Sequence, residues 1–137
     1  MSPPTYSLLS KAEVVLINRD QINQHGGSLG FQNEGMIDSA LGAVENALVY
    51  QEMTLFEIAA KYGYKLIKNH GFSDGSKRTG MASALTFLEK NGWLIRADTR
   101  SLVDIALDVA NDRIDEIGFG QWLKEHAEEV FAPFIFE

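Results

Sequence analysis

The residues best equipped for chemistry in this 137-residue chain stand together in one run, His70-Gly71-Phe72-Ser73-Asp74-Gly75-Ser76-Lys77-Arg78. A histidine, with an ordinary pKa of about 6.5, accepts a proton near neutral pH. Asp74 can hold Mg2+, an ion that takes one or two carboxylates together with phosphate oxygens. Gly75 has no side chain to keep an anion off the backbone. Lys77 and Arg78 add two positive charges, and the guanidinium can grip phosphate through two parallel bonds. A proton acceptor, a metal ligand and paired cations are the parts that phosphoryl or nucleotidyl transfer needs. The run is not a Walker A loop, because Lys77 follows Ser76 rather than preceding it and no strand leads in.

Position along the chain strengthens this reading. Leu55, Ile58, Ala59, Tyr62, Leu66 and Ile67 form one apolar stripe of a predicted helix that ends near Asn69. Met81, Ala84, Leu85 and Leu88 continue helical spacing until Asn91-Gly92 stops it. Ser76-Lys77-Arg78 therefore open a helix, whose first N–H groups lack partners and carry the positive end of its dipole. Such an end is a ready site for phosphate. Two cations there oppose the dipole, and make better sense with an anion between them and the amides. Taken singly, His70 reads as a helix C-terminal residue, Asp74 as an N-cap and Lys77-Arg78 as a solvated pair. Their conjunction in register favours a nucleotide-type site.

The remaining elements are mostly helical. Ser10-Lys11-Ala12-Glu13 has the form of a capping box with Leu9 and Val14 as its hydrophobic staple, predicting a helix to about Gln24 that Gly26-Gly27 ends. Gly26 to Gly35 reads as a loop, followed by a helix with Ile37, Ala40, Leu41, Val44 and Leu48 on one face. Thr54-Leu55-Phe56-Glu57 repeats the capping box, with Met53 and Ile58 as staple. Trp93 to Ala97 reads as a short extended link. Asp98 or Thr99 caps a helix carrying Leu102, Ile105, Ala106 and Val109, and a last helix presents Phe119, Leu123, His126 and Val130. The sum is an all-α fold, a compact bundle of about six helices in a single domain over residues 1–137, a class whose sites lie between helices. Trp93, Phe119 and Trp122 read as core, His25 and His126 receive no role, and Asp108, Asp112, Asp115 and Glu116 read as a solvated face that could meet a basic partner.

Composition narrows the function classes. A net charge of −7 argues against non-specific nucleic-acid binding, though a local basic patch can still hold one anion. With no cysteine, thiolate catalysis, disulfides and Cys-based zinc sites are excluded. Met1 to Tyr6 carry no secretory pattern and no apolar run reaches membrane-spanning length, so a cytoplasmic protein without membrane contact is expected.

The run from His70 to Thr79 also resembles a family signature. His70-x-Phe72-x-Asp74-Gly75-Ser76-Lys77-Arg78-Thr79 is similar to the His-x-Phe-x-Asp-Ala-Asn-Lys-Arg-Thr of death-on-curing (Doc) toxins. It is also similar to the wider Fic signature, His-x-Phe-x-Asp/Glu-Gly-Asn-Gly-Arg. The resemblance extends loosely from Gly26-Gly27 to Asn91-Gly92. It implies an all-helical Fic/Doc domain that uses ATP and Mg2+ to modify a hydroxyl of another protein. Fic enzymes attach AMP, whereas Doc transfers the γ-phosphate to elongation factor Tu. Lys77 is the Doc-side residue and Gly75 the Fic-like one.

By that resemblance His70 is the general base, Phe72 the core anchor and Asp74 the Mg2+-linked carboxylate. Gly75, Ser76, Lys77 and Arg78 hold phosphates, and Gly26 to Phe31 stand where the family has a flap that pins the target chain. Ser76 departs from the family's asparagine. A hydroxymethyl group reaches less far and donates once, which puts a phosphate contact in doubt. If that donor faces developing charge, the loss in rate is on the order of 10²-fold or more. Self-inhibited relatives carry a Ser/Thr-x-x-x-Glu-Gly/Asn helix. No Ser or Thr here has Glu four residues on, so control by a small antitoxin, folding as a helix in an apolar groove, is expected.

Overall fold

In a computed structural model, residues 5–130 are described, and the first four residues of the stretch read for a leader fall outside them. The order is α1 (Lys11–His25), α2 (Glu34–Tyr50), α3 (Leu55–Asn69), α4 (Ser76–Lys90), β1 (Trp93–Ile95), α5 (Thr99–Ala110), α6 (Glu116–Glu125) and β2 (Ala127–Glu129). This is the expected six-helix fold, with one addition. The extended link at Trp93 is a strand, and β2 pairs antiparallel with it, Leu94 opposite Glu128.

Local chemistry sets most helix starts. Both capping boxes form: Ser10 Oγ accepts the Glu13 N–H while Glu13 accepts the Ser10 N–H, and Thr54 and Glu57 do the same. Asp98 and Asp115 cap α5 and α6 by accepting the N–H of Ser101 and Gly118. The staple residues Leu9, Val14 and Ile58 are all buried. Gly26, at φ 87°, ends α1 and donates its N–H to Ile22.

The central pair is α3 and α4, which make the most extensive contact of any two elements. They approach closely because Gly63 and Gly80 face each other. A Cβ on Gly80 would lie 2.9 Å from the Gly63 carbonyl oxygen, and one on Gly63 would lie 2.8 Å from the Phe119 ring. Around this pair α1 and α2 pack on one side and α5 and α6 on the other, burying Tyr62, Leu66, Ile67, Phe87, Leu88 and Phe119. Burial of such side chains stabilises a fold by about 1.5–3 kcal/mol each.

Three expectations need correction. The glycine-rich loop is shorter than expected, since Glu34 and Gly35 already belong to α2. The last helix stops at Glu125. His126 is its C-cap, with Nδ1 2.7 Å from the Trp122 carbonyl oxygen and its ring stacked 4.0 Å from Trp122. Val130 lies past β2 and donates its N–H to Gly92, so pairing with β1 overrides the helical spacing. The acids between 108 and 116 lie at the surface, as read, and meet basic side chains of this same chain. Asp108 pairs with Arg113, Asp112 with Lys68 and Glu116 with Lys61, while Asp115 is a cap. Among the described residues no helix is long and apolar enough to cross a membrane.

Candidate active site

The run from His70 to Arg78 is the connection between α3 and α4, so the most tightly packed helix pair holds both its ends. His70 is the C-cap of α3 in the left-handed region (φ 50°, ψ 43°). A residue with a side chain adopts that geometry uncommonly, and such positions cluster at functional sites. Its side chain is exposed rather than locked in packing. Two residues later Phe72, 3% exposed, anchors the loop.

A second segment is stitched along this loop. The Gly71 carbonyl accepts the N–H groups of Gln32 (2.9 Å) and Asn33 (3.0 Å), and Ser73 donates to Gly30 (3.0 Å). Phe31 forms an isolated antiparallel bridge with Phe72, their rings stacked 5.6 Å apart. The Asp74 carboxylate accepts the Ser28 N–H at 2.8 Å. Gly27 lies so near that a Cβ there would sit 2.9 Å from the Asp74 Cβ, and its φ of +117° disfavours any side chain. The Gly26 to Phe31 segment is therefore more than a helix stop; it lies directly against the candidate metal ligand.

Asp74 does not cap α4, contrary to its simplest reading. The N-cap is Gly75, left-handed at φ 80°, and no side chain satisfies the first turn. That turn contains no acid. Lys77 and Arg78 are exposed and, among the described residues, pair with no carboxylate. Lys11, Lys61, Lys68 and Lys90 are all paired, whereas Lys77 and Arg78, like Arg19, Lys65 and Lys124, have no carboxylate partner among the described residues.

Beside this helix end runs a groove of about 480 Å³, within the usual range of ligand sites. Gln21, His25 and the residues from Gly75 to Arg78 line its polar end; Met81, Leu85, Leu102 and Ala106 line its apolar floor. A larger groove of about 870 Å³ lies between Tyr6 and the end of α2, away from every candidate residue.

The structure thus places His70, Asp74, Gly75, Ser76, Lys77 and Arg78 along one connection between α3 and α4; Gly75, Ser76, Lys77 and Arg78 line the groove, and His70 and Asp74 are not among its lining residues. Two residues there escaped the sequence reading. His25 lines the groove, and nothing in its local sequence marks it. Asn18 is 3% exposed in α1; its Nδ2 donates to the Asp74 carbonyl oxygen and to Thr79 Oγ1, each at 3.0 Å. A signal for it existed: Val14, Asn18 and Ile22 share the buried stripe of α1, and one of the three is polar.

Residues 8–88, which hold α1 to α3, all but the last two residues of α4 and the whole junction, match the family model described as the Fic/DOC family, and the chain belongs to that family. It is similar to the protein kinase doc of Escherichia phage P1, 33% identical over 107 residues that cover 77% of this chain and 84% of that protein. It is also similar to the toxin Doc of Mycolicibacterium smegmatis, 39% identical over 90 residues, 64% of this chain and 67% of the relative. Both relatives lie on the Doc side of the family, as Lys77 implies.

Proposed function

We propose that this chain is a Doc-like toxin that transfers the γ-phosphate of ATP to a hydroxyl of a target protein, with elongation factor Tu as the target and translation as the process blocked. The observation that carries the reading is the open junction: an exposed imidazole beside a helix end with no side-chain cap and two unpaired cations. Similarity to the protein kinase doc of Escherichia phage P1 supports the same chemistry.

In this mechanism His70 accepts the proton of the target hydroxyl, whose oxygen forms a bond to the γ-phosphorus as the bond to the ADP oxygen breaks. The amides of the first turn of α4, with Lys77 and Arg78, hold the phosphates and balance their charge. Gly75 and Ser76 permit close approach to the backbone. Phe72 fixes the loop that carries His70 and Asp74, and the stitched segment from Gly26 to Phe31 orders the edge along which a target chain would lie.

Asp74 is the residue that would hold Mg2+, which when bound supplies neutralising charge to phosphate oxygens. Among the described residues no three His, Cys, Asp or Glu side chains gather around a common point. A single carboxylate, one of whose oxygens already accepts the Ser28 N–H, suits an ion that arrives with the nucleotide and not an all-protein cage.

The apolar floor beside Arg78 suits the amphipathic helix of a small antitoxin, which there would lie across the phosphate end. A pull-down of the natively expressed protein tests this: a small companion is expected, and none at all would count against it. The protein is expected to work in the cytoplasm, without direct nucleic-acid contact.

AMP transfer to a protein hydroxyl is the second reading, and Gly75 favours it as the Fic-like residue of the signature. Intact-mass analysis of elongation factor Tu after incubation with ATP and Mg2+ decides. A phosphate-sized increment supports the kinase reading and an AMP-sized one the alternative. Neither increment on any candidate target, with nucleotide bound, leaves a Fic-fold binding module. Replacing Ser76→Asn is expected to raise the transfer rate, since it restores a longer donor at the phosphate end.

A further inference from the structure

We propose that Asn18 is a positioning residue of the phosphate site: its carboxamide fixes the Asp74–Gly75 peptide so that the Gly75 N–H faces the bound anion. The inference rests on the reading that the start of α4 receives phosphate, and adds to it a residue on a different helix. Asn18 lies in the middle of α1, 3% exposed, and Thr79 is fully buried beneath the first turn of α4. One amide hydrogen of Asn18 goes to the Asp74 carbonyl and the other to the Thr79 hydroxyl, both at 3.0 Å. The two donors of the side chain are thereby used on the two ends of the turn that begins the helix.

The consequence follows from peptide geometry. No peptide bond among the described residues is cis, and in a trans peptide the C=O and the following N–H point in opposite directions. Drawing the Asp74 carbonyl inward to Asn18 therefore turns the Gly75 N–H outward. That N–H has no backbone or side-chain acceptor among the described residues, and neither do those of Ser76 and Lys77. Without Asn18 the part-buried Asp74 carbonyl would lose its partner, and the cheapest repair is rotation of this peptide, since the glycine next to it gives the least resistance. Such a rotation withdraws one donor from the anion. Gly75 itself is held close: a Cβ there would meet Ile22 at 3.2 Å and the Asn18 amide nitrogen at 3.4 Å.

A merely structural Asn18 would affect melting alone, so the test reads anion binding at a temperature where every variant is folded. Calorimetric titration with ATP–Mg2+ and with tripolyphosphate compares wild type, Asn18→Leu and Thr79→Val, the last breaking only the contact that does not touch the Asp74 peptide. The expected result is a loss of about tenfold or more in both affinities for Asn18→Leu, with Thr79→Val within about twofold of wild type. Equal affinity in wild type and Asn18→Leu overturns the inference while leaving the phosphate site standing, and equal losses in both variants overturn it in favour of general loosening. A wild type that binds neither ligand overturns the site and the inference together. If Asn18→Leu does not fold, 15N-resolved titration of the wild type decides: a downfield shift of the Gly75 amide proton with tripolyphosphate supports the role. An unmoved Gly75 signal beside moving Ser76 and Lys77 signals refutes it.

Discussion

The starts of α3 and α4 lie in the two most closely packed helices of the molecule and are built on opposite principles. At α3 a reciprocal capping box satisfies the first turn, with Glu57 donating negative charge to the positive end of the dipole. At α4 the cap is a glycine, no side chain accepts from the first turn, and two cations replace the acid. One end is complete in itself; the other leaves its first turn without a side-chain acceptor, as the proposed phosphate site requires. The comparison separates residues selected for holding the fold from residues selected for holding something else.

The largest expected effect lies on the α4 side. His70→Ala should lower transfer by about 10²–10⁴-fold and relieve growth inhibition in cells, with little change in melting, since the imidazole is exposed. Unchanged growth inhibition would move the function to binding alone. Arg78→Ala should cost on the order of 10²-fold in transfer. Thermal melting of the same variant should show stability equal to wild type or higher by about 0.3–1 kcal/mol, because an unpaired cation leaves the positive end of a dipole. A marked loss of stability would instead make Arg78 a structural residue.

The α3 side predicts the converse. Thr54→Ala should destabilise by about 1 kcal/mol in urea unfolding, with transfer unchanged. The smallest effect concerns the matching box on α1. There the Lys90 ammonium first, and the Ser10 N–H second, hold the Glu13 carboxyl below its ordinary value of 4.5. A carboxyl lowered by folding adds stability above its unfolded pKa and loses it as pH falls through the folded one. Glu13→Gln should therefore differ from wild type by about 0.5 kcal/mol at neutral pH, the scale of a solvent-screened pair. The difference should shrink as pH drops below 4.5. A gap that widens in acid would show that folding does not hold this carboxyl down.

Much of this was legible in the sequence because the determinants are local. A capping box spans four residues, and both were read at their true positions, as were the ends of α3 and α4 around the site. What escaped depends on residues far apart. Ala127-Glu128-Glu129 has no strand-like alternation of its own; its register comes from Trp93–Ile95 more than thirty positions earlier. Lys61 and Lys68 claim Glu116 and Asp112 only once α3 meets the α5–α6 corner. The Asp74 carboxylate found the Ser28 N–H instead of its own helix, because Gly27 lets the segment after α1 come within contact. Asn18 stood in plain view as a polar residue on an apolar stripe, and only the tertiary contact shows what it holds.

The two-stranded ribbon has a consequence for the molecule's tolerance of change. Because β2 returns to β1, the chain from Trp93 to Glu129 is an excursion whose exit is fastened to its entrance. Arg96 and Val130 extend the fastening at either side by donating to His126 and Gly92. All residues of the junction precede it. Lengthening the turn at Asp112-Arg113 would therefore leave both ends of the excursion fastened, while α5 and α6 stay answerable to the centre through Leu102 and Ala106 on the groove floor and Phe119 against Gly63.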